Sequence, residues 1–345
     1  ERLDGGMRVS YREIQPGSVF RNYNVTVSTF HNWSHEALDN TWSIDSWQSA
    51  RMRGSFRLNT NWQLLNYWNV KFNGSYSPQA MSRSATRGGP MMVDPASTDF
   101  SLNVSSDRRK SVSFGSNFQI KDDLLGIGGS RNIRGDIRLR PSDNLGMSVS
   151  PMWDKSAADA QYVTSTSTLA YDPTYGRRYL FAELDRRSFS LVTRVDWTFT
   201  PTLSLQLYAQ PLLSSGDYLE YKQLAAAESY QFSDFEQGSA QTFGDGIGCT
   251  ANICNVDGTQ HVDFDGDGVT DYSFTDRDFN ARSLIGNAVL RWEYRPGSTI
   301  FLVWQRQQVD RALMGDFDLG RDAGALFAAP ADNRFIIKMN YWLGL

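Results

Sequence analysis

The densest group of hard oxygen ligands in the chain is the run Asp263-Phe264-Asp265-Gly266-Asp267-Gly268-Val269-Thr270-Asp271. Asp263, Asp265 and Asp267 bring carboxylates at alternating positions, Gly268 permits a sharp turn, Val269 offers a backbone carbonyl and Asp271 closes the ring, which is the donor set calcium prefers. The expected occupant is a structural calcium ion. Without an ion the same residues form a hydrated acidic turn in which neighbouring carboxylates repel one another. The only two cysteines, Cys249 and Cys254, stand just upstream. A close pair in a polar loop, outside any metal-ligand pattern, points to a small disulfide and an oxidising compartment, with two free thiols as the alternative.

Chemistry of the catalytic kind finds little support. His31, His35 and His261 are the three histidines, and no nucleophile motif, phosphate-binding glycine loop or histidine pair accompanies them. The expectation is a protein that is not an enzyme. Trp33, Trp42 and Trp47 are aromatic enough to stack on sugars or peptides, and equally suited to a membrane girdle or loop packing.

A further set of charged residues sits on one side of strongly alternating segments. Phe189, Leu191, Val195, Trp197 and Phe199 share one face, whereas Ser188, Ser190, Arg194, Asp196 and Thr198 share the other. The same division recurs at 133–140, 50–58, 203–210 and 284–295. It assigns Arg51, Arg53, Arg57, Lys71, Arg134, Asp136, Arg138, Arg140, Arg194, Asp196, Arg291 and Glu293 to a polar face, with Glu183 and Asp185 among the offsetting acids. An isolated buried charge costs several kcal/mol, so this face requires water or partners. A wet lumen opposite a lipid-facing surface supplies both.

The elements that hold these residues are strands joined by turns of two kinds. Pro16, Pro141, Pro201 and Pro296 each stand between alternating segments, where proline pre-sets a tight turn and cannot extend a strand ladder. Short proline turns fall on one side and long loops on the other, the arrangement of an outer-membrane barrel with periplasmic turns and extracellular loops. Aromatic residues at the proline-turn side, among them Trp62, Tyr67, Trp68, Trp197, Phe199, Trp292, Tyr294, Tyr341 and Trp342, suit an interfacial girdle. No run reaches the roughly 18 apolar residues of a spanning helix. The mean hydropathy of -0.45 suits strands of which every second residue meets lipid. A soluble β-sandwich also alternates, but without one-sided loop lengths. The net charge of -4, with no basic block, argues against nucleic acid as a partner.

The expected fold is therefore all-β: a transmembrane antiparallel up-and-down β-barrel with about 15 to 16 strands. The strands are placed at 6–13, 18–31, 46–58, 66–78, 97–106, 111–122, 129–140, 144–154, 158–171, 177–185, 188–199, 203–213, 280–295, 298–310 and 333–345. An odd count suggests that residues 1–345 are the C-terminal portion of a larger barrel, with one strand miscounted near 155–175 as the alternative, and a secretion leader that has been removed or lies outside this sequence. The long external loop at 214–279 carries both the aspartate turn and the cysteines.

The aspartate run resembles the nine-residue loops of integrin-type propellers more than an EF-hand, because Phe274 stands where a bidentate glutamate would be. The end of the chain resembles the signal read by the barrel assembly machinery: Lys338, Leu343 and Leu345 fit it, while Asn340 replaces its glycine. The stretch Arg282-Ser-Leu284-Ile-Gly286-Asn287-Ala-Val289-Leu290-Arg291-Trp292-Glu293-Tyr294-Arg295-Pro296-Gly297-Ser298, followed by Phe301-Leu-Val-Trp304-Gln305, resembles the C-terminal region of a poorly characterised family of bacterial outer-membrane proteins. Full-length members of that family carry a family-nine-type carbohydrate-binding domain ahead of the barrel. The resemblance implies a location in the outer membrane of a diderm, Gram-negative bacterium, with outer-membrane lipid and other outer-membrane or periplasmic proteins as partners. It carries sugar binding onto no residue here. Two functions follow as expectations: a porin-like pore passing solutes along a charged lumen, or a plugged barrel that anchors or docks partner proteins or a carbohydrate-binding domain.

Overall fold

The computed structural model of the protein describes residues 1–38, 43–126, 128–243 and 246–343. Trp42, Gly344 and Leu345, used in the sequence reading, lie outside the described residues. The chain is all-β, and its dominant element is one large antiparallel sheet. Its strands are Arg2–Glu13, Phe20–Ser34, Arg51–Leu64, Asn69–Ser77, Ser97–Ser105, Val112–Asp123, Gly129–Ser142, Leu145–Thr166, Arg178–Thr200, Leu203–Leu224, Phe279–Arg295, Ser298–Ala312 and Ala331–Asn340, each paired with the next along the chain. A short strand, Phe232–Asp234, adds to Leu203–Leu224 outside this path.

Alternation and turn chemistry account for the architecture. The chain reverses tightly at 143–144, 201–202 and 296–297. Gly297 has φ +76°, and an added Cβ would meet the Trp342 side chain at 3.0 Å, so the last of these turns requires glycine. The opposite end of the sheet carries the connections 35–50, 78–96, 167–177, 225–278 and 313–330, together with one short exception at 124–128. The one-sided distribution expected from the prolines is thus present.

The sheet is open, whereas the sequence reading expects a barrel wall of fifteen strands. Two segment pairs are each one continuous strand. Residues 144–154 and 158–171 merge into Leu145–Thr166, whose register shifts between Ala158 and Gln161 and again between Tyr162 and Thr164. Such bulges interrupt the alternation without ending the strand. Residues 177–185 and 188–199 merge into Arg178–Thr200, where Arg186 and Arg187 stay in register with Ser156 and Lys155. Along the thirteen-strand path the two edge strands, Arg2–Glu13 and Ala331–Asn340, run in the same direction. They cannot pair antiparallel with each other.

Three further differences lie at the loop-bearing end. Residues 44–49 form a short helix, capped by the Ser43 side chain accepting from the Ser46 N–H, where the sequence reading begins a strand at 46. Leu203–Leu224 continues well past the expected end at 213. The connection 313–330 contains the helix Leu319–Ala328, capped by the Asp318 carboxylate on the Arg321 N–H.

Candidate functional site: a charged sheet face and a disulfide-closed cap

Strand register sorts the charged residues by face. Arg194 pairs with Ser148 and Tyr208, and Ser148 pairs in turn with Arg138, so these four stand in one row on one face. Arg57, Ser75, Asp99 and Lys121 form another such row. Arg53, Lys71, Arg134, Asp136, Arg140, Asp196, Arg291 and Glu293 fall on the polar positions of the same alternation. Arg51 does not. The register shifts between Asn32/Arg53 and Trp33/Arg51, so Arg51 pairs with Trp33 on the face of His31 and Phe56. Glu183 and Asp185 share the face of Phe189, opposite Arg194, because the strand Arg178–Thr200 alternates regularly from Glu183 to Arg194, its own register shift lying only between Thr198 and Thr200.

Compensation on the polar face is partial. Arg138 Nε lies 3.0 Å from Asp136, and Arg291 lies 3.0 Å from Glu293. Among the described residues Arg53, Arg57, Lys71, Arg134 and Arg194 have no carboxylate partner within ion-pair distance. Basic side chains therefore predominate there.

The opposite face is apolar and exposed. Val195, Leu207, Ala288, Trp304 and Phe335 follow one another across five strands, and Leu205, Leu290, Leu302 and Ile337 form the next row. Leu58, Gly74, Phe100 and Ile120 continue the same surface on the far side. Leu207 is 39% exposed and Phe335 77%. At the short-turn end, Trp197 packs on Phe199 and Trp292 on Tyr294, with ring centroids 4.4 and 6.1 Å apart.

The segment 225–278 builds a cap on the extended ends of the three longest strands. Ile253, Val262 and Phe274 pack against Leu180, Ala182 and Tyr221, while Tyr179 and Phe181 pack on the other face against Met92 and Leu224. Each such fully buried side chain contributes roughly 1.5–3 kcal/mol. Cys249 and Cys254 form a disulfide that joins the hairpin Ala240–Phe243/Gly246–Cys249 to the strand Ile253–Val256.

The aspartate run lies within this cap. Asp263 is 2% exposed, and its two oxygens accept from the Gly266 and Gly268 N–H groups at 2.7 Å. Gly266 and Gly268 take φ +79° and +84°, conformations that favour glycine. Asp265, Asp267 and Asp271 accept from the N–H groups of Asp267, Val269 and Phe264. One oxygen each from Asp263, Asp265 and Asp267 lies within 4.8 Å of the others. Val269 and Asp271 are neighbours of that group rather than members of it. Three hard oxygens held on a preformed turn fit calcium, which takes six to eight oxygen ligands.

Several charged groups escape sequence reading. Lys222 Nζ lies 2.7 Å from Asp159 and 3.7 Å from Glu183, and the Tyr230 hydroxyl donates to Asp159 at 3.0 Å, with Lys222 and Asp159 both buried. Arg282 meets Asp310 and Asp322, the latter fully buried on the helix Leu319–Ala328. Both networks depend on strand extensions and a helix that the alternation does not announce. Asp278 accepts from the Tyr218 N–H at 2.7 Å. Burial pushes its carboxyl up to about 6, the Tyr218 N–H opposing and the nearby Asp276 and Asp217 reinforcing the shift.

A raised carboxylate favours the folded state at low pH. The unfolded pKa is about 3.9, so the native cap binds more protons between about pH 4 and 6, and its stability falls as pH rises through that window. Partial exposure limits the effect to about 1 kcal/mol. Protease protection of 225–278 should therefore be greater at pH 4.5 than at pH 7 by about five-fold. Asp278→Asn should remove most of that difference, and an unchanged pH profile in this variant would refute the assignment.

No curated protein matches the chain. The match to a family model spans nearly its whole length, from residue 2 to residue 345, and on that ground the chain belongs to the family described as Domain of unknown function (DUF5916).

Proposed function

We propose that this sheet is the wall of an outer-membrane β-barrel, with its polar face lining a lumen through which solutes pass and its long connections extracellular. The observation that carries the reading is the exposed apolar surface, continuous across many strands and backed throughout by a charged face. A soluble monomer rarely exposes an apolar patch larger than a few hundred Å², whereas a barrel requires such a band where it meets lipid. Strand length agrees. A spanning strand needs about 9–11 residues, and Arg178–Thr200 has 23, so its upper part projects beyond the bilayer and supports the cap. Closure requires an odd number of further antiparallel strands between the two edges. Insertion of the full-length protein into planar bilayers should give discrete conductance steps. The absence of any step from folded, membrane-integrated protein would contradict the pore and favour the anchoring or docking barrel, for which the cap with its own buried cluster is the supporting observation.

Calcium belongs to the same reading, as a structural ion held by Asp263, Asp265 and Asp267 and completed by Val269 and Asp271. Extracellular calcium modules bind at about 10⁻⁴ to 10⁻³ M, so the ion is retained outside the cell and, with the disulfide, reduces the entropy of a long connection. Calcium at about 5 mM should slow cleavage of 225–278 by about ten-fold. Asp263→Ala should abolish that dependence. Equal protection of the wild type with calcium and with chelator would leave only an acidic turn.

A further inference from the structure

Within the proposed lumen the charged residues are not spread evenly. A recess of about 420 Å³ on the polar face is lined by Arg108, Arg134, Arg138 and Arg194 with Asp136 as its one carboxylate. Asp136 is already engaged, by Arg138 at 3.0 Å and by the Ser150 hydroxyl at 3.0 Å. The guanidiniums of Arg134 and Arg194 rest instead on neutral groups. Arg134 Nη2 lies 3.1 Å from the Met152 sulfur, and the Arg194 guanidinium carbon stands 5.1 Å from the centre of the Tyr208 ring. These contacts hold the side chains in place without cancelling their charge.

We infer that this recess is a recognition station for small anionic solutes bearing a carboxylate or phosphate group. The inference rests on the pore reading for its biological use, but not for the binding itself. Arg138 and Arg194 lie in one row two strands apart, with Ser148 between them, a separation of about 10 Å. A solute bound between them meets guanidinium forks, which match carboxylate and phosphate oxygens bidentately. Asn117 and Gln210 also line the recess and present amide groups suited to hydroxyls beside the anionic group. A face of fixed positive charge raises the local concentration of anions generally. The station adds selectivity among anions, because fork geometry distinguishes oxyanions from chloride.

Calorimetric titration of the folded full-length protein in detergent, with inorganic phosphate and glucuronate as probes and glucose as the neutral control, tests this. Saturable binding of at least one anion is expected, with none for glucose. The double variant Arg134→Gln/Arg194→Gln should weaken binding at least ten-fold, and Arg134→Lys/Arg194→Lys, which keeps the charge and loses the fork, should weaken it by about three-fold. Should the double variant not fold, Arg194→Gln alone serves, since among the described residues the one specific contact of Arg194 is with the Tyr208 ring. Conductance measured on the same preparation separates the two readings: anion binding without conductance sinks the pore and leaves the station standing. Conductance without saturable anion binding, or binding equal in wild type and glutamine variant, overturns the station.

Discussion

On the proposed barrel reading, Leu207→Arg should block stable membrane insertion, costing about 2–4 kcal/mol, whereas Gln206→Arg on the adjacent residue should cost less than about 0.5 kcal/mol. Leu207 lies between Val195 and Ala288 on the apolar face, and Gln206 lies between Asp196 and Val289 on the polar one. Both are exposed in the isolated chain. If the apolar face met water, the two substitutions would be nearly equivalent, because surface changes away from special features seldom exceed a few tenths of a kcal/mol. In a bilayer they would differ sharply, since the proposed barrel turns this row toward the acyl chains. Folding yield into vesicles, read as the heat-resistant compact band on gels, should fall by more than about thirty-fold for Leu207→Arg alone. Equal yields for the two variants would mean that the apolar surface is covered by something other than lipid.

The second large effect concerns the cap. Removing one partner of a buried ion pair strands the other charge, at about 3–5 kcal/mol, while removing both is often nearly neutral. Lys222→Met leaves Asp159 buried beside Tyr230 and Glu183. It should raise the rate of proteolysis within 225–278 by about a hundred-fold, and Lys222→Met/Asp159→Leu should recover most of the loss. A single variant as protected as the wild type would show that water reaches the pair and that it does not anchor the cap.

What was legible in the sequence follows from what alternation can report. Leu203 to Gln210 alternates cleanly, and the face of each residue is correct there. The proline turns and the one-sided loop lengths are equally local and equally readable. The pattern fails at bulges: Ala157-Ala158-Asp159-Ala160 offers no contrast between faces, so one strand reads as two. One extra residue before Arg53 moves Arg51 to the other face, which no local composition reveals. Ser214-Ser215-Gly216-Asp217 reads as the start of the long loop, yet all four stay paired to the neighbouring strand. The helix Leu319–Ala328 holds Gly320 and Gly324, which weaken its intrinsic helical propensity, so nothing local announces it. The disulfide and the aspartate turn were visible because their spacing is short. The Lys222–Asp159 pair, 63 residues apart in sequence, depends on tertiary packing that periodicity does not encode.

Placement of this sheet in a bilayer is tested most directly by nitroxide labels introduced singly at each position from Leu203 to Gln210 in vesicle-reconstituted protein. Accessibility to oxygen and to a water-soluble nickel complex should alternate with a period of two. Labels at 203, 205, 207 and 209 should be reached by oxygen and shielded from nickel, and those at 204, 206, 208 and 210 should show the reverse. Nickel accessibility at all eight positions would contradict the account.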